Sequence, residues 1–262
     1  MAAAIAIAAA AVATAGTSAV AEGSERLPDL DQATPSGLEI TRAGTRRRPV
    51  YRLGFRSAVS NVGDGALIID GHRSGVDAGT MAADQVVEIE GAPKRVLSGV
   101  GELRYVVSRD HRHWHLLNFE RYELRRAGRR VAAVGDRKTG FCLGDRYPVL
   151  RPVRSAPPRP VYTSRCGLAD PGLLGLQEGI SVGYGDDYAA NLEGQYLRLT
   201  GLAPGRYVLV HRVNADRRLR ELDHRNNAAS LLLRLRWRGR EPLVRVLRAC
   251  PATARCDRRP IG

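Results

Sequence analysis

Short runs of apolar and β-branched residues, separated by glycine, proline and polar turn residues, recur along the whole chain. Such runs are typical of β-strands, and no stretch has the apolar spacing of a long amphipathic helix. The clearest strand patterns are Tyr51 to Val59, Ala66 to Ile69, Gln85 to Ile89, Leu103 to Val107, Tyr207 to Val213 and Ser230 to Arg236. The pattern therefore predicts an all-β fold, arranged as a single compact β-sandwich-like domain with long loops and little helix.

The N-terminal residues follow a different pattern. Residues 1–21 are almost wholly small and apolar, and they end in an Ala-x-Ala sequence that precedes a charged run. This fits a signal peptide over 1–21, although the basic segment that usually comes first is missing. We therefore expect residues 22–262 to form one domain that is secreted or extracytoplasmic, with no later transmembrane span. The stretch from Tyr147 to Pro160, rich in proline and arginine, is expected to be a long surface loop.

The four cysteines fit an exported protein, because disulfides persist in oxidising compartments. Three pairings are open, and proximity in the sequence favours Cys142 with Cys166 and Cys250 with Cys256. A zinc site is the alternative, but the chain contains no Cys-x-x-Cys spacing.

The formal net charge of +14 predicts a surface that attracts anionic cell-envelope polymers in a salt-dependent way. The basic residues are scattered and match no nucleic-acid-binding motif, so we expect no nucleic acid partner. Only Lys94 and Lys138 are lysines among 41 basic residues. A lysine in so arginine-rich a chain suggests that Lys138, directly after an arginine, is needed for its amine rather than for its charge.

Half of the six histidines lie in one short segment, at His111, His113 and His115. Alternate residues of a β-strand share a face, so the three imidazoles are expected to point in one direction, away from Arg112 and Trp114. Three imidazoles suit copper(II) or zinc(II) and leave a coordination position open for chemistry. The alternative interpretation is a solvated, histidine-rich edge strand without metal.

Several ordered motifs resemble those of one protein family. The run from His111 to Leu124 resembles the copper-binding segment of lysyl oxidases, copper-dependent amine oxidases whose cofactor is made from their own side chains. The segment from Lys138 to Asp145 resembles the one that holds the cofactor lysine, and Gly179 to Tyr188 resembles the one that holds the cofactor tyrosine. The segment from Glu221 to Asn227 follows in the same order as in the family.

The resemblance implies that copper and dioxygen oxidise Tyr188, and that Lys138 adds to the ring to give lysine tyrosylquinone. This cofactor would oxidise small primary amines or lysine-bearing protein substrates to aldehydes with O2, releasing H2O2 and NH3. An arginine could not replace Lys138, because its guanidinium stays protonated. Tyr184, four residues earlier, is the alternative cofactor tyrosine, but Tyr188 is at the position that matches the family's cofactor tyrosine. Asp186 is a candidate general base, although a loop carboxylate at this point also fits a turn.

A second metal site is suggested by oxygen-bearing side chains that cluster within one short segment: Glu221, Asp223, Asn226 and Asn227. Carboxylate and amide oxygens suit Ca²⁺ better than copper. The resemblance implies that such a segment binds calcium together with a Pro-Asp-Leu sequence near the start of the domain. Here Asp29 would give its carboxylate and Leu30 its carbonyl. The alternative is an Asp/Asn-rich turn with no ion.

Two other classes of function stay open at the level of sequence. A non-catalytic secreted protein that binds copper or zinc would hold metal but have no quinone absorbance. A β-sandwich binding module held on anionic polymers would be indifferent to chelators. The presence of both Lys138 and Tyr188 favours the oxidase.

Overall fold

The structure is a computed structural model that describes residues 23–108, 111–135, 140–192 and 194–258. The predicted signal peptide over 1–21 and the candidate cofactor residue Lys138 lie outside the described residues. The described residues contain no helix, and so none long and apolar enough to cross a membrane. The prediction of an all-β fold is confirmed, and each of the six predicted strand patterns coincides with an observed strand.

Seventeen strands are formed by the described residues. In chain order they are β1 (Glu25–Arg26), β2 (Leu30–Gln32), β3 (Ser36–Gly44), β4 (Pro49–Asn61), β5 (Leu67–His72), β6 (Thr80–Ile89), β7 (Ala92–Val107), β8 (Arg112–Leu116), β9 (Glu120–Arg126), β10 (Ala132–Gly135), β11 (Tyr147–Pro148), β12 (Gly175–Ile180), β13 (Tyr184–Tyr188), β14 (Tyr196–Arg198), β15 (Gly205–Val213), β16 (Ala228–Arg238) and β17 (Glu241–Cys250). The predicted loop from Tyr147 to Pro160 thus begins with a two-residue strand and is otherwise irregular.

The strands pair into three antiparallel sheets. The first has the order β12-β5-β6-β7-β8, with β1 beside β6. The second has the order β10-β9-β15-β16-β17. The third is built on β4, which pairs with β13, β14, β2 and β3, while β11 extends it beyond β13. The sandwich predicted from sequence is therefore a three-sheet arrangement.

One large hydrophobic core is shared by the three sheets. It receives side chains from β5 of the first sheet, from β15 of the second and from β4 of the third, and its fully buried members include Ile69, Leu209 and Phe55. Along β4 every second residue from Tyr51 to Asn61 is buried, as expected for a strand with one face in the core. The strands β8 and β13 also contribute to this core, through Trp114 and Leu116 and through Tyr184 and Tyr188.

Both predicted disulfides are present. Cys142 is bonded to Cys166 with the Cα atoms 5.7 Å apart, and Cys250 is bonded to Cys256 with the Cα atoms 5.5 Å apart. Two disulfides are compatible with an extracytoplasmic location.

Candidate active site

Strand β8, with His111 directly before it, directs the three histidines to one face, as the sequence pattern predicts. Trp114 points to the opposite face, where it is buried and donates from Nε1 to the Asp170 carbonyl at 3.1 Å. His111 and His115 are buried and His113 is half-buried. The solvated edge-strand interpretation is therefore disfavoured, because two of the three imidazoles are removed from solvent.

The three imidazoles converge. Nε2 of His113 is 2.7 Å from Nε2 of His115, and Nδ1 of His111 is 3.4 Å from Nε2 of His113. One ring nitrogen from each histidine lies within 4.8 Å of those of the other two, which is close enough for all three to bind one ion. A nitrogen-only set of this kind suits copper(II) or zinc(II), so these residues fit the metal that the resemblance implies.

Strand β8 lies at the edge of its sheet, yet its outer backbone edge is covered by two loop segments. In the first, the Trp114 N–H donates to the Cys166 carbonyl at 2.8 Å, and the Ala169 N–H donates to the Arg112 carbonyl at 2.7 Å. These bonds satisfy backbone groups that an open edge would expose. They also fix the rotation of the strand, and therefore the direction in which its histidines point.

The second covering segment follows the predicted cofactor lysine. Phe141 and Leu116 exchange backbone hydrogen bonds of 2.8 and 3.0 Å. Gly140, just before, has a φ of +120°, and a Cβ there would lie 2.5 Å from the Leu116 carbonyl oxygen and 3.0 Å from the His115 Cβ. Only glycine allows so close an approach with that backbone conformation. Lys138 itself, two residues earlier, is outside the described residues.

Tyr188, at the end of β13, contacts the same segment. Its hydroxyl donates to the Cys142 carbonyl at 3.0 Å and accepts from the Cys142 N–H at 2.9 Å. The Phe141 ring packs edge-on against the Tyr188 ring, with the centroids 4.9 Å apart. The Phe141–Cys142 pair therefore connects the end of the histidine strand to the predicted cofactor tyrosine. Tyr184 is directed elsewhere, since its hydroxyl donates to the Pro157 carbonyl at 3.3 Å.

The environment of Tyr188 keeps its hydroxyl protonated. Burial raises the pKa of the phenol well above its ordinary value, and the neighbouring Asp186 carboxylate raises this pKa further. Asp186 lies two residues before Tyr188 on the same face of β13, and is itself buried. The turn suggested for Asp186 is thus wrong, because the residue is in a strand. Its Oδ1 is 3.7 Å from Nε of Arg146.

Asp145 joins the two predicted cofactor motifs. Its carboxylate accepts from the Ser181 N–H at 2.8 Å and from the Ser181 hydroxyl at 2.7 Å. It also accepts from the N–H groups of Val161 and Tyr162 at 2.7 and 3.1 Å. Asp145 is the last residue of the lysine motif. Its carboxylate therefore holds that motif against the tyrosine motif, through Ser181, and against the end of the long loop, through Val161 and Tyr162.

Glu178 is a buried carboxyl that is not among the residues predicted from the sequence. One of its oxygens lies within 4.8 Å of the sulfurs of Cys142 and Cys166, which are bonded to each other and so do not serve as metal ligands. Burial raises the pKa of Glu178 well above its ordinary value, and Asp186 raises it further. Its alternation with buried Ile180 in β12 is the signal that places it on an inward face.

Another group of buried polar side chains extends to Ser57 of β4, the strand that pairs with β13. Glu120 is 2.9 Å from Nε2 of His211, and it accepts a hydrogen bond from the Tyr122 hydroxyl at 3.0 Å. The Tyr122 hydroxyl is also 3.4 Å from Oγ of Ser57, which is directly opposite Tyr188 in the pairing of β4 with β13. Sequence patterns do not reveal this cluster, since it depends on the register of four strands.

The candidate calcium residues come together only in part. The Glu221 carboxylate is buried and accepts from the Leu30 N–H at 3.0 Å and from the Asn227 side-chain amide at 2.6 Å. The Asn226 amide donates to the Asp29 carboxylate at 2.7 Å. The carboxylate of Asp223 instead binds the Arg225 guanidinium at 2.9 Å.

Two oxygens of this group are suited to a hard cation. The side-chain oxygens of Asn226 and Asn227 are buried and have no hydrogen-bond partner among the described residues. Such oxygens are costly to bury unless something binds them. The donor set therefore fits Ca²⁺.

Comparison with known protein families identifies a match over much of the chain. The sequence model of the family described as Lysyl oxidase matches residues 100–245, more than half of the chain. The matched region includes β8 with its histidines, Lys138, Tyr188 and the segment from Glu221 to Asn227. A search of curated proteins finds no match. The chain belongs to the lysyl oxidase family, which indicates a function of the copper amine oxidase type.

Proposed function

We propose that this protein is a copper-dependent amine oxidase that oxidises primary amines, using a lysine tyrosylquinone formed from Lys138 and Tyr188. The observation that carries the proposal is the convergence of three imidazoles on one face of β8, with Phe141 and Cys142 linking that strand to Tyr188. Small primary amines and lysine-bearing proteins are both substrates that such a carbonyl cofactor accepts.

The histidines His111, His113 and His115 would hold copper(II). Copper with dioxygen supplies the oxidation that makes the cofactor, and the finished quinone supplies the carbonyl that takes up the amine. The remaining contribution of the chain is position and protonation. The backbone of Cys142 fixes the hydroxyl of Tyr188 on both its donor and its acceptor side.

Asp186 is the proposed proton acceptor. It shares a strand face with Tyr188, it is buried, and the Arg146 guanidinium provides a positive charge 3.7 Å away. A carboxylate in such a position can accept the proton that leaves the substrate α-carbon. Glu178 is a weaker candidate, because burial raises its pKa and so favours its protonated form.

We propose residues 22–262 as one secreted catalytic domain preceded by a signal peptide over 1–21. The two disulfides support export, and they lie in the same domain as the candidate site.

The test is an absorption spectrum of copper-loaded, aerobically incubated protein before and after phenylhydrazine, with metal content measured on the same sample. We expect about one copper per chain and a visible band that shifts with hydrazine, as a carbonyl cofactor requires. Lys138→Arg and Tyr188→Phe should lose the band and the production of peroxide from primary amines, while copper is retained.

Two matched variants act as controls. Lys94→Arg changes the other lysine, whose exposed amine pairs with Glu88 at 3.3 Å. Tyr184→Phe changes the other tyrosine of the same motif. Both should keep the band. Bound copper without a band in the wild type would favour a non-catalytic metal-binding protein, and a band retained in Lys138→Arg would contradict the cofactor assignment.

We also propose a structural calcium ion held by the carboxylates of Asp29 and Glu221 and the amide oxygens of Asn226 and Asn227. The buried amide oxygens without partners among the described residues support it. Leu30 and Asp223 are retained as candidate ligands from the resemblance. An ion at this place would join strand β2 to the loop before β16, so its role would be in stability.

A further inference from the structure

The sheet β9-β15-β16-β17 has two different faces. Its inner face carries core leucines such as Leu209, Leu231 and Leu233. On the outer face, Arg206 of β15 is directly opposite Arg234 of β16, and Arg234 is directly opposite Arg245 of β17. Three arginines thus occupy directly paired positions across three adjacent strands.

A fourth arginine extends this set along β16. Arg236 is two residues beyond Arg234 and therefore on the same face. All four side chains are exposed. We call Arg206, Arg234, Arg236 and Arg245 the arginine row.

The arginine row has no acidic partner within the part of the chain that the structure describes. Other arginines on the same face are paired: Arg212 with Glu123 at 3.0 Å, and Arg125 with Asp257 at 3.7 Å. The unpaired charge is therefore confined to one part of the face and is not a general property of the sheet.

Such an arrangement opposes folding unless an anion is present. Side chains directly opposite in an antiparallel sheet have Cβ atoms about 5 Å apart, and like charges at that spacing repel. Guanidinium groups bind phosphate through two parallel hydrogen bonds, and several in a line match a ligand with repeated charges. The line runs across the strands, so an extended chain can lie along it.

We propose that the arginine row is a docking site for a linear polymer, other than a nucleic acid, that carries a phosphate on each repeat unit. This role is separate from the proposed oxidase function, because none of the four arginines contacts the histidine strand or Tyr188 among the described contacts. It would hold the enzyme at a phosphate-rich polymer while its catalytic site stays free.

The test measures binding of fluorescent inorganic polyphosphate to the purified full chain by anisotropy, over a series of salt concentrations. The variant Arg206→Gln, Arg234→Gln, Arg236→Gln, Arg245→Gln should bind about tenfold more weakly or worse. Its salt dependence should also be shallower, by roughly 0.7 to 0.9 in log–log slope for each arginine–phosphate ion pair that the substitutions remove.

The matched control removes the same number of charges from exposed arginines elsewhere: Arg46→Gln, Arg47→Gln, Arg48→Gln, Arg151→Gln. It should bind as the wild type does. Equal weakening in the control would mean that only net charge matters and would overturn the proposal. Equally tight binding of polyglutamate would overturn the preference for phosphate, and binding to anionic phospholipid vesicles but not to polyphosphate would overturn the choice of a polymer.

Thermal unfolding provides a second readout. Removal of repelling neighbours should raise the melting temperature of the arginine-row variant above that of the wild type. Polyphosphate should raise the melting temperature of the wild type and of the control, but not that of the arginine-row variant, because a ligand stabilises only a protein that binds it. A variant that melts lower than the wild type and still responds to polyphosphate would contradict the proposal.

Discussion

Tyr188 and Glu178 are buried ionisable side chains whose surroundings favour the protonated form. Burial disfavours the charged form of both the Tyr188 phenol and the Glu178 carboxyl, and the pKa of each is raised for that reason. The Arg146 guanidinium acts on both carboxyls, but it makes its 3.7 Å contact with Asp186, and for Glu178 burial outweighs it. The raised pKa of Glu178 favours its protonated form, and the contact with the Arg146 guanidinium supports Asp186 as the proposed proton acceptor.

Glu178→Gln should change how stability depends on pH. The pKa of a glutamate carboxyl in the unfolded chain is about 4.3. A carboxyl whose pKa is higher than this in the folded state lowers the free energy of unfolding as the pH rises above about 4.3. The wild-type free energy of unfolding should fall relative to that of Glu178→Gln by up to about 1.4 kcal/mol per pH unit above this point. Urea unfolding from pH 5 to 8 measures the difference.

The control for this experiment is Glu39→Gln, which changes an exposed carboxylate of β3. The plot of its free energy of unfolding against pH should run parallel to that of the wild type. If the Glu178→Gln curve is also parallel, the Glu178 carboxyl titrates normally and is not a neutral acid in the folded protein.

At the scale of elements, strand β8 depends on the two segments that cover its outer edge. The Cys142–Cys166 disulfide joins these segments, since Cys142 follows Phe141 and the Cys166 carbonyl accepts from Trp114. The disulfide therefore joins Cys166, which is hydrogen-bonded to the histidine strand, to Cys142, which is hydrogen-bonded to the Tyr188 hydroxyl. Cys250–Cys256, by contrast, closes a short loop over the outer face of β16.

Replacement of both Cys142 and Cys166 by alanine, which removes their disulfide, should lower both the free energy of unfolding and the affinity for copper. Loss of the disulfide should cost about 3 kcal/mol of unfolding free energy by loop entropy. Copper affinity, measured by competition with a chelator, should also fall, because the covering segments are then untied. The paired Cys250→Ala, Cys256→Ala variant should cost less stability and leave copper affinity unchanged. Equal copper affinity in both variants would contradict a role of the Cys142–Cys166 bond in positioning β8.

Gly140→Ala should disturb the same strand from the other side. The added methyl would meet the Leu116 carbonyl at 2.5 Å, in a backbone conformation that alanine rarely adopts. We expect a loss of about 1 to 3 kcal/mol of stability and weaker copper binding. Gly75→Ala is the control, because a Cβ there has nothing within 4 Å. Unchanged copper affinity in Gly140→Ala would show that this close approach does not position His115.

Local patterns predicted those features that depend on neighbouring residues. Alternation in β8 placed His111, His113 and His115 on one face, and short separations indicated both disulfides. Contacts between distant strands could not be predicted this way, because the register of a pairing depends on the whole sheet. Ser57 opposite Tyr188 and Glu178 beside Cys142 are examples.

At the scale of the whole molecule, strand β2 joins different parts of the fold. β2 pairs with β4 of the third sheet. Residues in and just before β2 also form backbone hydrogen bonds with the loop that precedes β16 of the second sheet. The Leu222 N–H donates to the Pro28 carbonyl at 2.8 Å, and the Gln32 N–H donates to the Asn226 carbonyl at 3.1 Å. An ion in this place would therefore stabilise the connection between two sheets, far along the chain from the histidines.

Calcium should accordingly raise the melting temperature of the copper-free, chelator-treated protein. At one hundred times its dissociation constant, an ion that binds only the folded state adds about 2.7 kcal/mol, which is several degrees for a chain of this size. Asn227→Ala should abolish the shift, because it removes a buried amide oxygen, whereas Asp77→Asn, a change of an exposed carboxylate, should retain it. Magnesium should give a smaller shift, since it demands a tighter octahedral set of ligands. An equal response of Asn227→Ala to calcium would place the ion elsewhere, and no response of the wild type would leave these residues as a hydrogen-bonded turn.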